Sequence, residues 1–141
     1  MAQFCLSVSR ENIAGQVADL VNRYNRLYVT HTPYSIMKSK PKYFVHLEGD
    51  RVIGCAACLA EYPTLSKIMH VCVHPDRRRS GIAQKLVTQA ISACTTENVY
   101  ATIRENNVAS RRLMTKIGFV QVKITPSKDH YIVVYGRRKD I

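Results

Sequence analysis

The stretch HVCVHPDRRRSGIAQKL at residues 70–86 decides how the rest of the chain is interpreted. It begins with an apolar run, turns at Pro75, becomes basic and then breaks at Gly81. Apolar residues at helical spacing follow as far as Cys94. This pattern predicts a strand, a short loop and a helix.

The junction between loop and helix favours an anion. The first turn of a helix has N–H groups without intrahelical partners, at the positive end of the helix dipole. Gly81 and Ala83 leave room for a phosphate to approach the backbone, and three arginines at 77–79 add charge. The loop therefore predicts a diphosphate site, with an ordinary helix start and a solvated basic face as the alternative. The glycine patterns of a P-loop and of a dinucleotide fingerprint are both incomplete here.

Two motifs resemble those of one family. The order Arg78-x-x-Gly81-x-Ala83 resembles the acyl-CoA pyrophosphate loop of the GNAT superfamily of N-acetyltransferases. NVASRRLMTKIGF at residues 107–119 is similar to the family's Asn-x-x-Ala/Ser…Leu-Tyr-x-x-x-Gly-Phe segment. The resemblance covers essentially the whole chain, because the order of predicted elements also matches.

The fold that these observations predict is α/β (α+β), a GNAT fold forming a single domain over residues 1–141. A mixed, mostly antiparallel sheet of about seven strands is expected with about four helices. Alternation predicts the strands at 3–9, 42–48, 52–61, 65–73, 99–104, 119–125 and 131–136. Helical spacing and caps predict helices at 11–24, 81–95 and 107–117, with a short one within 25–41. The resemblance implies a splay between the fourth and fifth strands.

Composition limits the classes of protein. No apolar run is long enough to span a membrane and no secretion signal is evident, which predicts a soluble cytoplasmic protein. The 5 cysteines are expected to be free thiols. The Cys55-x-x-Cys58 spacing does not indicate a metal or redox site, because strand alternation points the two side chains to opposite faces. No metal is predicted.

The net charge of +11 is concentrated around the loop, since residues 74–123 carry nine basic and three acidic side chains. Coenzyme A is itself an anion, so this excess needs no nucleic acid to account for it. The excess also disfavours polycationic acceptors.

The resemblance implies transfer of an acetyl group from acetyl-CoA to a primary amine by direct attack. By resemblance, backbone groups of Val71, Cys72 and Val73 hold the pantetheine arm. The pyrophosphate is implied to bind the backbone N–H groups of Arg78, Arg79, Ser80, Gly81, Ile82 and Ala83. Asn107 and Ser110 are implied to contact the pantetheine or the phosphates, and Arg111 or Arg112 the 3′-phosphate.

The general base and the general acid each have several candidates. A protonated amine cannot attack, so a base is needed, and His70 and Glu61 are the candidates. Alternation places His70 on the face of Cys72, unless a bulge changes the parity. Met114 stands where the family's tyrosine protonates the leaving thiolate, and a thioether cannot donate a proton. Water, the acceptor, Tyr34 or Tyr131 are the remaining donors.

Two other functions are compatible with the sequence. One is a GNAT-fold acyltransferase acting on nucleic acid or aminoacyl-tRNA, which the basic charge suits. The other is a catalytically silent module that binds CoA or nucleic acid, which Met114 motivates. The acceptor is expected to be an amine-bearing small molecule or protein, bound by residues 26–42 and 124–132. A monomer and a homodimer are both compatible with the sequence.

Overall fold

A computed structural model describes residues 9–25 and 29–140. Within these ranges the chain forms four helices and one six-stranded sheet. The helices are α1 (Arg10–Tyr24), α2 (Pro33–Lys38), α3 (Ile82–Ala93) and α4 (Val108–Lys116). The strands are β1 (Lys42–Glu48), β2 (Arg51–Tyr62), β3 (Leu65–Val73), β4 (Asn98–Arg104), β5 (Val120–Pro126) and β6 (Tyr131–Arg138).

The sheet has the order β1-β2-β3-β4-β6-β5. The first three strands form an antiparallel meander, α3 crosses over, and β4 then runs parallel to β3. Strand β6 pairs with β4 and β5, antiparallel to both. The predicted mixed fold is therefore confirmed, with a strand count close to the expected one.

Local signals account for the helix ends. The Ser9 hydroxyl accepts a hydrogen bond from the Asn12 N–H and so caps α1. Thr32 and Ser35 form a reciprocal capping box that starts α2, which is the short helix expected within 25–41. Apart from Ser9, the strand predicted at 3–9 lies outside the described residues.

Two apolar clusters cover the two faces of the sheet. On one face α3 and α4 pack against the strands through residues such as Ile53, Leu86, Val87, Phe119 and Val133. On the other face α1 and α2 pack against β2 and β3 through residues such as Val17, Val21, Ile36, Val52 and Cys72. The second cluster covers only half of its face of the sheet, because α1 lies over β2 and β3.

The cysteines within the described ranges are free. Cys55 belongs to the cluster under α1, whereas Cys58 packs against the cluster under α3, so the two side chains lie on opposite faces as expected. The Cys58 Sγ atom lies 2.6 Å from that of Cys94. Cys5 lies outside the described residues. No helix in the described ranges is both long and apolar enough to cross a membrane.

Candidate active site

The two parallel strands pair only at their beginning. Strand β3 pairs with β4 at Leu65–Asn98, Ser66–Val99 and Lys67–Tyr100, and no later pair follows along these two fully described strands. Beyond these residues the strands separate, so both have an edge whose backbone groups lack a strand partner. The splay that the family resemblance implied is therefore confirmed.

The separation opens a cleft of about 500 Å³. Its walls come from β3 and β4, its end from the start of α4, and its rim from Tyr24 and Asn25 at the end of α1. The lining residues of β3 and β4 are Lys67, Ile68, Met69, His70 and Val71, facing Ala101, Thr102, Ile103 and Arg104. Asn107, Ser110 and Met114 complete the lining from α4 and its cap.

The loop after β3 has the geometry of an anion site. Gly81 has a φ of +84°, and its carbonyl accepts the hydrogen bond from the Lys85 N–H that starts α3. The first turn of α3 contains no acidic residue, and Gly81 provides no side-chain cap. Arg79 also has a positive φ, of 65°. Successive turns of this kind direct N–H groups to one side, where the helix dipole also favours an anion.

The three loop arginines have different contacts. Arg77 pairs with Glu48, with 3.0 Å between Nε and Oε1. Arg78 donates from Nε to the Val73 carbonyl over 3.1 Å and lies against the Tyr24 ring. Arg79 is exposed beside Gly81. The positive charge around the loop is therefore partly neutralised by Glu48 and partly used to fix the loop on β3.

Side chains already occupy two of the backbone acceptors on the separated edge of β3. Asn25 Nδ2 donates to the Val71 carbonyl over 3.4 Å, and Arg78 holds the Val73 carbonyl. The Cys72 side chain points away from this edge, because its Sγ lies 3.6 Å from the Leu20 carbonyl of α1. Cys72 therefore does not line the cleft with its side chain.

A bulge in β3 changes the alternation of side chains. Cys55 faces Cys72 and Ala57 faces Met69, so β3 has one residue more than β2 between these pairs. The extra residue is accommodated at His70, whose φ is 52°. As a result Ile68 belongs to the cluster under α3 and Cys72 to the cluster under α1, although strict alternation would place both on one face. His70 lies on the side of α1 and α2, as expected.

His70 sits in a cluster of ring side chains. Its Nδ1 lies 2.6 Å from the Tyr43 hydroxyl, and its ring meets that of His31 edge to face at 4.9 Å between centroids. Burial, followed by the charges of His31 and Lys67, lowers the pKa of His70 to about 4. Burial raises the pKa of Tyr43 to about 12. At neutral pH the cluster therefore presents a neutral imidazole fixed by a neutral phenol.

The lowered pKa of His70 should make the free energy of unfolding depend on pH. The unfolded chain takes up a proton at the ordinary histidine pKa of 6.5, whereas folded His70 does so only at about 4. The unfolded state thus binds more protons between these values, and stability falls as the pH falls through this window. We expect His70→Gln to reduce the loss of unfolding free energy between about pH 7 and about pH 5 in urea titrations. Equal losses in both proteins would contradict this assignment.

The second base candidate lies elsewhere. Glu61 does not line the cleft, and its carboxylate accepts a hydrogen bond from the Tyr100 hydroxyl on the exposed face of β4. Burial and the nearby Glu61 carboxylate raise the pKa of Tyr100 above its ordinary value. Tyr34 and Tyr131 are exposed and do not line the cleft.

The residues near α4 lie at one end of the cleft. The Asn107 side chain caps α4 by accepting a hydrogen bond from the Ser110 N–H over 3.2 Å, and both line the cleft. Arg111 donates to the Tyr135 hydroxyl, which fixes it on β6, whereas Arg112 is exposed. Of the two arginines, only Arg112 therefore has its side chain exposed to solvent. Met114 is buried at the base of the cleft.

Sequence reasoning missed several lining residues. Tyr24, Asn25 and Thr102 line the cleft, and Tyr43 and His31 hold His70. None belongs to a motif. The positions of Tyr24, Asn25 and His31 depend on how α1 and α2 pack over β3, whereas Thr102 lines the cleft because β4 has separated from β3. Among the described residues, no group of His, Cys, Asp or Glu is arranged to hold a metal ion.

Comparison with known proteins identifies the family. The model of the acetyltransferase (GNAT) family matches residues 14–119. No curated protein sequence matches the chain significantly.

Several solved structures share the fold. Ard1 from Thermoplasma volcanium has a TM-score of 0.78 at 19% identity, over 97% of this chain and 95% of that one. The structure of yncA from Salmonella typhimurium, with its cofactor acetyl-CoA, has a TM-score of 0.78 at 18% identity, over 98% and 92%. The ribosomal-protein-S18-alanine N-acetyltransferase from Escherichia coli has a TM-score of 0.73 at 14% identity, over 91% and 88%. Because the family model covers most of the chain and the fold agrees, this protein belongs to the GNAT family of acetyltransferases.

Proposed function

We propose that the protein is an acetyl-CoA-dependent N-acetyltransferase whose acceptor is a primary amine. The observation that carries this proposal is the early separation of β3 from β4, beside a glycine-led helix start. The cleft has room for an extended thiol-bearing arm, and the loop offers N–H groups for two phosphates. The similarity to yncA, whose structure includes acetyl-CoA, supports the choice of cosubstrate.

Each part of the site then has one role. Backbone N–H groups from Arg78 to Ala83 bind the diphosphate, and Arg79 adds an exposed cation. The arm runs between the separated strands, where it replaces Asn25 and Arg78 as the partner of the Val71 and Val73 carbonyls. Asn107 and Ser110 bound the arm from the side of α4, and Arg112 is the candidate contact for the 3′-phosphate.

The chemistry requires one acyl transfer and one proton transfer. Acetyl-CoA supplies an activated thioester carbonyl, from which the acetyl group passes to nitrogen as a C–N bond forms and a C–S bond breaks. A backbone N–H near Cys72 and Val73 stabilises the charge that develops on the carbonyl oxygen. His70 lines the cleft as a neutral imidazole and is the side chain that we assign as proton acceptor; because its pKa is lowered to about 4 it is a weak base, so the amine must arrive uncharged. Because Met114 carries no proton, the thiolate takes its proton from water or from the acceptor.

Calorimetry and thiol release test the proposal together. Acetyl-CoA should bind with one site per chain, and a panel of primary amines should then release free CoA at rates that depend on the amine. The absence of binding would overturn the proposal. Binding without release on any amine would indicate a silent CoA-binding module, and RNA binding that competes with turnover and weakens with salt would indicate a nucleic-acid acceptor.

A further inference from the structure

Half of one sheet face has no helix over it. Helices α1 and α2 lie over β1–β3, but the same face of β4, β6 and β5 is exposed in the described part of the chain. Val120 and Val122 of β5 are 66% and 62% exposed. An apolar surface of this kind usually marks a binding site, because exposed apolar patches are otherwise small.

This face forms a groove of about 690 Å³. The apolar side chains of its floor are those of Leu65, Tyr100, Val120, Val122, Ile132 and Val134. Asn98, Thr102 and Thr125 also line it, and Val99 contributes its backbone, because its side chain is buried on the other face. The side chains of two cations, Lys123 and Arg138, also lie along it, whereas no acidic residue lines it. The Arg137 guanidinium lies on the other face of the sheet, over the Phe119 ring. The acids nearest to it are Glu97, which pairs with Arg138, and Glu61, which accepts the Tyr100 hydroxyl.

The groove and the cosubstrate cleft meet at one residue. Thr102 lines both of them, because it stands on the edge of β4 where β3 has separated. A molecule that lies in the groove can therefore extend one end past Thr102 into the cleft. Glu61 of β2 accepts the Tyr100 hydroxyl but lines neither the groove nor the cleft, and Lys67 of the cleft lies over the Tyr100 ring.

The strand register fixes how far Lys123 and Arg138 lie from Thr102. Thr102 faces Val134 across β4 and β6, and Val134 faces Lys123 across β6 and β5. Two strand spacings separate Thr102 from Lys123, which is about 10 Å. Arg138 lies on β6 opposite Asn98, farther from the cleft along the strand direction.

We propose that this groove is the acceptor site and that its substrate is a primary amine with an apolar body and a distal carboxylate. This inference rests on the proposed function. The amine lies at Thr102, facing the thioester in the cleft. The apolar body covers Val134 and Val122, and the carboxylate, about 10 Å from the amine, pairs with Lys123. The positive charge of the protein then serves the acceptor as well as the coenzyme.

Three amines of equal chain length test this inference. 8-Aminooctanoate, octylamine and 1,8-diaminooctane share an apolar body and differ only at the distal end, which carries a negative charge, no charge or a positive charge. We expect kcat/KM to decrease in this order, by about tenfold between 8-aminooctanoate and 1,8-diaminooctane. The reason is that Lys123 attracts the distal carboxylate of the first and repels the distal ammonium of the last.

Charge reversal in the groove provides the matched variant. Lys123→Glu should abolish or invert the preference between the charged amines, whereas Lys116→Glu should preserve it, because α4 lies on the opposite face of the sheet. The two proteins have the same net charge, and both should unfold at temperatures near that of the unmodified protein.

The outcomes separate this inference from the proposed function. If acetyl-CoA does not bind, the proposed function fails. If acetyl-CoA binds and amines are acetylated without any preference for the carboxylate, or if Lys123→Glu leaves the preference unchanged, only the acceptor assignment is wrong. A dimer in sedimentation that Val122→Glu dissociates would also overturn it, since the groove would then hold a second copy.

Discussion

Replacing Gly81 with valine should weaken acetyl-CoA binding by at least about 100-fold and leave the protein folded. A Cβ atom at this position would meet no atom within 4 Å, so the substitution causes no clash. Its cost is conformational, because a β-branched residue strongly disfavours the φ of +84° found here. The loop is expected to relax to a negative φ, which turns the N–H groups of residues 79–83 away from the diphosphate. Titration calorimetry measures the loss.

Gly49 provides the control for this experiment. It has a φ of +61° in the hairpin between β1 and β2, and an added Cβ would again meet nothing within 4 Å. Gly49→Val therefore imposes a comparable backbone cost in a turn that does not line the cleft. It should lower the midpoint of unfolding and leave the affinity for acetyl-CoA unchanged. Unchanged affinity in Gly81→Val would show that the loop does not bind the phosphates.

Replacing Gln84 with glutamate should change stability and binding in opposite directions. Gln84 lies in the first turn of α3, which has no acidic residue, and glutamate has nearly the same shape. A negative charge there interacts favourably with the helix dipole and should stabilise the fold by about 0.5 kcal/mol. The same charge repels a bound diphosphate and should weaken acetyl-CoA binding by about tenfold. Urea denaturation and calorimetry measure the two effects.

Gln89→Glu is the matched control for that variant. It introduces the same charge on α3, at an exposed position more than one helical turn farther from the loop. It should bind acetyl-CoA with unchanged affinity and gain no stability. If Gln84→Glu also binds with unchanged affinity, then the diphosphate does not lie at the start of α3.

Much of the fold follows from local sequence patterns. Strand β3 begins and ends at the predicted residues, and α4 is capped by Asn107 and followed by Gly118, whose φ is 100°. These features are encoded within a few residues of each other, through alternation, capping side chains and glycines at positive φ. The splay could be anticipated only through the family resemblance, because no local pattern specifies where two strands separate.

The features that could not be predicted depend on distant partners. The bulge at His70 arises from the register between β2 and β3. Arg77 pairs with Glu48, which lies in another strand, and this contact removes one arginine from the expected anion site. The exposed groove on β4, β6 and β5 depends on where α1 and α2 end over the sheet. A sequence pattern records which residues are apolar, but not which face of the sheet remains without a helix.

The contacts of Asn25 and Arg78 determine which part of the coenzyme provides affinity. Because the Val71 and Val73 carbonyls already accept hydrogen bonds from Asn25 and Arg78, a thioester arm bound as proposed exchanges one set of bonds for another. Such an exchange contributes little net free energy. Discrimination between full coenzyme and short thioester metabolites must therefore come from the nucleotide end.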